Sequence, residues 1–256
     1  MIKGFYAAIS AMVVGASRQE TLAHNLANLD TPGFKQILNT MDEFTHTSVL
    51  FSPGNITRSS TLRAVGNLGL GVELNPEMTN FSAGALKMTG NKLDFAIQGE
   101  GFFRLQTPEG ERYTRDGRFL LDAQGNLVNV NGFKVLDQNG QPISIPEGAT
   151  PEVSTDGTLR VDGQVIAQIG LALFNDPENQ LERDQFNTFR ALEPPSNTPD
   201  LPRGLIHQGA LEMSNVNPSQ LMAQMVMIAR SYEAAQQMAQ LQDELLGQAI
   251  RTLGRI

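Results

Sequence analysis

Phe119-Leu120-Leu121, Leu127-Val128-Asn129-Val130 and Phe133-Lys134-Val135-Leu136 are three short apolar runs, with Gly125-Asn126 and Asn131-Gly132 standing between them. Short apolar segments bounded by Gly, Asn and Asp pairs are the pattern of hairpin-linked strands. The punctuation extends in both directions. Glycines fall at 110, 117, 125, 132 and 140, seven or eight residues apart. Asp116-Gly117 and Asn139-Gly140 flank the three runs, and Asp156-Gly157 and Asp162-Gly163 continue the series up to the apolar stretch from Ile166 to Phe174. Residues 81–211 are therefore predicted to form an antiparallel β-rich core domain. A calcium-binding repeat would need more acidic side chains at each turn than Asp116, Asp122 and Asp137 supply.

Outside this region the period changes from strand-like to helical. From the N-terminus, Ile2, Tyr6, Ile9, Val13 and Ala16 recur three or four residues apart, and after Glu20 the stripe resumes at Ala23 and Leu26. Asp30-Thr31-Pro32-Gly33 ends it, since Pro32 disfavours an α conformation at Thr31 and Gly33 offers an exit with φ > 0. Residues 36–80 are polar and weakly patterned, which predicts an extended arm with little regular structure. Residues 193–204 are a Pro-rich connection. After Pro218, which suits a first helical turn, Leu221, Met225, Ile228, Tyr232, Ala235, Met238, Leu241 and Leu245 form a near-heptad stripe.

The expected architecture is α+β. Long N- and C-terminal helices (1–35 and 212–256) form a coiled-coil-like assembly region around an arm (36–80) and a central antiparallel β-rich domain (81–211). A lone amphipathic helix is marginal in water, so each stripe needs a partner, either the other helix or a neighbouring chain. The methionines at 213, 222, 225, 227 and 238 suit either packing within the chain or an adaptable assembly surface.

Composition narrows the function. The 256 residues carry a net charge of −8, with 18% charged side chains and no cysteine. A nucleic-acid binder would show a basic stripe and a peripheral membrane protein a polybasic cluster. Without cysteine there is no disulfide, thiolate metal site or Cys nucleophile. His24, His46 and His207 lack metal-ligand spacing, and no cofactor motif is present. Met1 to Ser17 superficially resembles a secretion signal. However, the helical stripe runs through the would-be cleavage site and stays in phase with Ala23 and Leu26 beyond it, so no cleaved signal is expected. No stretch reaches the roughly 20 apolar residues of a membrane span.

Asn25-Leu26-Ala27-Asn28-Leu29-Asp30-Thr31-Pro32-Gly33-Phe34-Lys35 resembles the N-terminal signature of bacterial flagellar rod and hook proteins. Asp94-Phe95-Ala96-Ile97-Gln98-Gly99-Glu100-Gly101-Phe102-Phe103 is similar to that family's entry into its β domain, and Tyr113-Thr114-Arg115-Asp116-Gly117 to the block after it. Gln208-Gly209-Ala210-Leu211-Glu212, Ser214-Asn215-Val216-Asn217, and Arg230, Tyr232 and Glu233 resemble its C-terminal part. His24 and Ala11 depart from it, standing where Asn and Gly are common.

The resemblance implies a structural subunit of the flagellar basal-body rod, transmitting torque from motor to hook across the periplasm. Its implied partners are copies of itself, other rod and hook subunits, and the flagellar type III export apparatus, with neither nucleic acid nor direct membrane insertion. The length suits either the proximal or the distal rod subunit, and Pro146-Glu147-Gly148 and Leu181-Glu182-Arg183 look slightly more like the proximal type. The expected assembly interface comprises Ile9, Val13, Leu26, Asn28, Pro32, Gly33, Phe34, Leu221, Met225, Ile228, Tyr232, Met238, Leu241 and Leu245. Two other readings compete. A rod-associated peptidoglycan hydrolase needs two converging carboxylates, for which only Glu100, Asp116 and Asp122 offer themselves, all in turn contexts where Asp usually serves the backbone. A soluble β-rich binding module does not explain why both ends carry long stripes.

Overall fold

In a computed structural model that describes residues 2–51, 63–146, 148–195 and 204–253, the chain divides into two units. One contains Met1–His24, Ile37–Met78 and Pro218–Ile256, and the other contains Asn25–Gln36 and Thr79–Asn217. The expected organisation is present: a long helix at each end and an antiparallel β-rich region between them. The division does not coincide with the expected boundaries, because the signature segment after His24 belongs with the β-rich unit. Most of the Pro-rich connection, residues 196–203, and Glu147 of the Pro146-Glu147-Gly148 segment lie outside the described residues.

In the first unit the dominant elements are α1 (Ile2–Ala27) and α3 (Pro218–Leu253), roughly 39 and 54 Å long at 1.5 Å per residue. α1 has no proline or interior turn signal until Thr31-Pro32. Its last turn tightens, with the amides of Asn28 and Leu29 bonding back to the carbonyls of Asn25 and Leu26. Strands Met41–Phe51 and Arg63–Leu74 pair antiparallel between the helices in sequence, with Asp42 opposite Glu73 and His46 opposite Gly69. The expected arm of little regular structure is thus largely two long strands. Gly66, Gly69 and Gly71 hid the second of them, because glycine lowers strand propensity and breaks the alternation. At the base of the pair, the Val72 amide donates to Ser10 Oγ at 3.2 Å.

In the second unit an eight-stranded antiparallel sheet runs through strands 181–183, 189–191, 110–114, 102–107, 134–135, 127–129 and 119–121, and strand 171–172 also pairs with 102–107. A three-stranded sheet of 152–153, 158–161 and 164–168 completes its main body. The core lies between them: Phe95, Phe103, Leu105, Phe119, Leu127 and Leu159 are almost wholly buried. A second cluster, Phe102, Phe174 and Phe189, packs largely edge to face with ring centroids 5.8 to 5.9 Å apart. α2 (Pro177–Gln180) is a single turn.

The three apolar runs between Phe119 and Leu136 are strands of this sheet, and the residues between them are its turns. Each turn repeats one device. Asp122 Oδ1 accepts the amides of Gln124 and Asn126, Asn129 Oδ1 those of Asn131 and Phe133, and Asp137 Oδ1 those of Asn139 and Gln141. The carboxylates therefore serve the backbone. Asp162-Gly163 has both residues at positive φ, 52° and 80°, the conformation a tight two-residue hairpin requires. Asp116-Gly117 is different in kind. A Cβ on Gly117 would lie 1.6 Å from the carbonyl oxygen of Phe95, so the glycine is needed for close strand approach.

Candidate assembly surface

The two helices of the first unit run antiparallel. A Cβ on Gly4 would sit 3.1 Å from Nε2 of Gln242, and one on Gly15 would sit 3.7 Å from the Tyr232 ring. Eleven residues forward on α1 thus match ten backward on α3. The facing surfaces mix small residues with larger apolar ones. On α1 they include Ala8, Ala11, Val14 and Gly15; on α3 buried and half-buried positions recur at 221, 225, 228, 232, 235, 239, 242, 246 and 249, an alternation of four and three, with 224, 229 and 247 half-buried beside it.

The expected stripe on α3 shares this seam from Leu221 to Ala235 and then leaves it. The seam continues through Ala239, Gln242, Leu246 and Ala249, and the large apolar side chains expected at 238, 241 and 245 fall one position before it. Met238, Leu241 and Leu245 consequently face outward, Leu241 with 53% of its surface exposed. Ile228 is only 7% exposed. On α1 the stripe marks the outer face: Tyr6, Ile9 and Val13 are exposed, Val13 at 64%. Of the fourteen expected interface residues, Ile9, Val13, Met238, Leu241 and Leu245 are therefore available to a neighbour. Leu26, Asn28, Met225 and Tyr232 are half-buried. Pro32, Gly33, Phe34, Leu221 and Ile228 are buried inside this chain. An open cleft of about 330 Å³ lies in the same unit, lined by Ala11, Val14, Arg18, Met41, Val72 and Met227 among others.

The signature turn belongs to the second unit. Gly33 has φ +68°, as its place after Pro32 predicts. A Cβ there would lie 2.3 Å from the Asp116 amide nitrogen, so the site excludes side chains on two counts. Asn187 Nδ2 donates to the Pro32 carbonyl at 3.1 Å. The Arg183 guanidinium lies 4.6 Å from the centroid of the Phe34 ring and donates to the Lys35 carbonyl. Asn187 and its neighbour Phe186 both stand at positive φ, 57° and 58°. For non-glycine residues this is strained backbone, and at Asn187 it accompanies the grip on Pro32.

Lys35 is a feature that sequence reading passed over. Its side chain is 1% exposed and ends 2.6 Å from Glu212, itself fully buried. Arg115 Nη1 donates to the other oxygen of Glu212 at 3.2 Å. Two cations thus share one buried anion. Burial lowers the Lys35 pKa from its ordinary value, Glu212 opposes that fall, and Arg115 adds to it. All three residues stand in the motifs that carry the resemblance, and the available signal was charge embedded in apolar context, since buried charges occur almost only when paired.

The carboxylates considered for hydrolysis are occupied differently. Asp116 holds Arg118 through both oxygens, at 3.0 and 2.7 Å. Asp122 is fixed in its turn, and Asn126 lowers its pKa by hydrogen bonding. Among the described residues no group of His, Cys, Asp and Glu is arranged to hold a metal ion, and no helix is long and apolar enough to cross a membrane.

Three family models match in order along the chain: flagella basal body rod protein over residues 5–35, the FlgE/F/G flagellar hook protein D1 domain over 96–167, and the C-terminal region of flagellar basal body rod FlgEFG proteins over 207–252. Flagellar basal-body rod protein FlgF of Mesorhizobium japonicum is 33% identical, with 99% of each chain covered. FlgF of Caulobacter vibrioides is 35% identical over 96% of this chain and 99% of its own. FlgG of Bacillus subtilis is 30% identical over 98% of both. With relatives at this identity spanning nearly its whole length, the chain belongs to the flagellar basal-body rod protein family.

Proposed function

We propose that this protein is a structural, non-catalytic subunit of the bacterial flagellar rod that polymerises through the outer faces of α1 and α3. The observation that carries the reading is the pair of exposed apolar rows, Tyr6, Ile9 and Val13 on one helix and Met238, Leu241 and Leu245 on the other. The helices already pair along an inner seam that includes Leu221 and Ile228, and further large apolar side chains remain outside it. Rows of this kind mark association surfaces. Copies of the chain and other rod or hook subunits cover them in a coiled-coil-like inner layer, which carries torque from motor to hook across the periplasm. The chain reaches that position through the flagellar export apparatus without a cleaved signal. The FlgF relatives cited, 33 and 35% identical against 30% for the FlgG relative, favour an FlgF-type place in the rod.

The test compares Leu241→Asp and Val13→Asp with Gln240→Asp in a motile strain carrying the gene. The first two yield exported, soluble protein but no completed hook-basal bodies, and the third permits assembly. Normal hook-basal-body yield with both apolar-to-Asp variants rejects the outer faces as the assembly surface.

A further inference from the structure

Glu212 stands in strand Ala210–Glu212, and the charge it neutralises in the signature segment lies 177 residues earlier. The groups around it are closely engaged with it and with the neighbouring backbone. Lys35 Nζ donates to Glu212 Oε1 at 2.6 Å and to the Ser82 carbonyl at 2.8 Å. Arg115 Nη1 donates to Oε2, and Nη2 to the Gly99 carbonyl at 2.9 Å. The Gly84 amide donates to Oε1 at 2.9 Å, and the Glu212 carbonyl accepts the Gly33 amide at 2.7 Å. Glu100 is the other acidic group whose field reaches Lys35 and Arg115. It is exposed, so water screens it and it cannot stand in for a buried partner.

We propose that Glu212 is a positioning residue that makes docking of the 33–36 segment on the β-rich unit conditional on arrival of the C-terminal strand. Until residue 212 is in place, seating the segment buries Lys35 beside Arg115 with no anion between them, and two unpaired buried cations are strongly disfavoured. When the strand arrives, one carboxylate neutralises the pair and its carbonyl clamps Gly33. A second tie lies close by. The Gln36 amide donates to Asn215 Oδ1 at 2.8 Å, while Asn215 Nδ2 donates to the Asn80 carbonyl at 2.9 Å. Residues 36, 80 and 215, each next to or two residues from a crossing to the other unit, are thereby stitched at one place. The signature is thus a strap that closes only on a chain complete to its C-terminal strand.

The experiment is amide hydrogen exchange on the full-length chain carrying Glu212→Gln, which keeps the shape and removes the charge, and on Lys35→Met/Glu212→Gln. In the single variant the Gly33 and Gln36 amides exchange at least roughly tenfold faster, while strand Phe102–Thr107 keeps its protection. In the double variant, with one unpaired cation removed, part of the lost protection at 33–36 returns. Unchanged exchange at Gly33 and Gln36 in Glu212→Gln overturns the proposal. So does loss of the core together with the strap, including failure to fold, because the strap is then not a separable device. A double variant no better protected than the single one overturns the charge-balance cause.

Discussion

The two units distribute their large apolar side chains differently. In the β-rich unit large apolar side chains go inward: Phe95, Phe103 and Phe119 are almost wholly buried. Its charges are also settled internally, Lys35 and Arg115 on Glu212 and Asp116 on Arg118. In the helical unit Val14, Leu221 and Ile228 are buried beside small residues, and many large apolar side chains lie outward, with Val13, Met238 and Leu241 more than half exposed. Apolar rows left outward on both helices are surface that a neighbour can cover. Stability and assembly should therefore respond to different substitutions, and measurements in each unit can break that separation or sharpen it.

The largest effect belongs to the β-rich core. Phe103→Ala removes a buried ring and should destabilise that unit by about 3–5 kcal/mol, read from denaturant unfolding. A loss below about 1 kcal/mol would mean the core is not where its stability resides. Gly33→Val comes next. It strains a left-handed backbone and drives a side chain into Asp116, costing about 1–3 kcal/mol and releasing the 33–36 segment to hydrogen exchange. Retained protection there would show that the turn tolerates a side chain.

A smaller effect concerns pH. Burial depresses the Lys35 pKa in the folded chain, so between that value and the ordinary 10.5 the unfolded state binds more protons. Stability contributed by this group therefore rises with pH through the window, and the burial cost is fully present below it. Urea unfolding at stepped alkaline pH should show the rise in the wild-type chain and its loss in Lys35→Met. The same slope in both would assign it to other groups.

The smallest effect on the free chain is the most telling for assembly. Leu241→Ala should change monomer stability by less than about 0.5 kcal/mol, since the side chain already lies half in water, yet lower the yield of completed hook-basal bodies. Ile228→Ala, on the inner seam, should cost about 2–4 kcal/mol in the same unfolding measurement. If the two positions behave alike, the inner and outer faces of α3 are not distinct.

Local chemistry was legible in the sequence. The Asp and Asn turns of 122, 129 and 137, the left-handed Gly33 and both terminal helices arise from steric and hydrogen-bonding preferences that act over a few residues. Those preferences, together with motifs at both ends and the middle, were enough to define an α+β chain of the rod family. What they could not give depends on the identity of a distant neighbour. The α3 seam runs through Ala239 rather than Met238 because the opposing helix brings Gly4 and Gly15 close, and periodicity ranks side chains by size without knowing what faces them. Glycines 66, 69 and 71 weaken a strand that strand 41–51 nevertheless holds by pairing. Lys35 and Glu212 read as two ordinary charges 177 residues apart. Only the tertiary structure joins them, because the electrostatic cost that binds them exists only where water has been excluded.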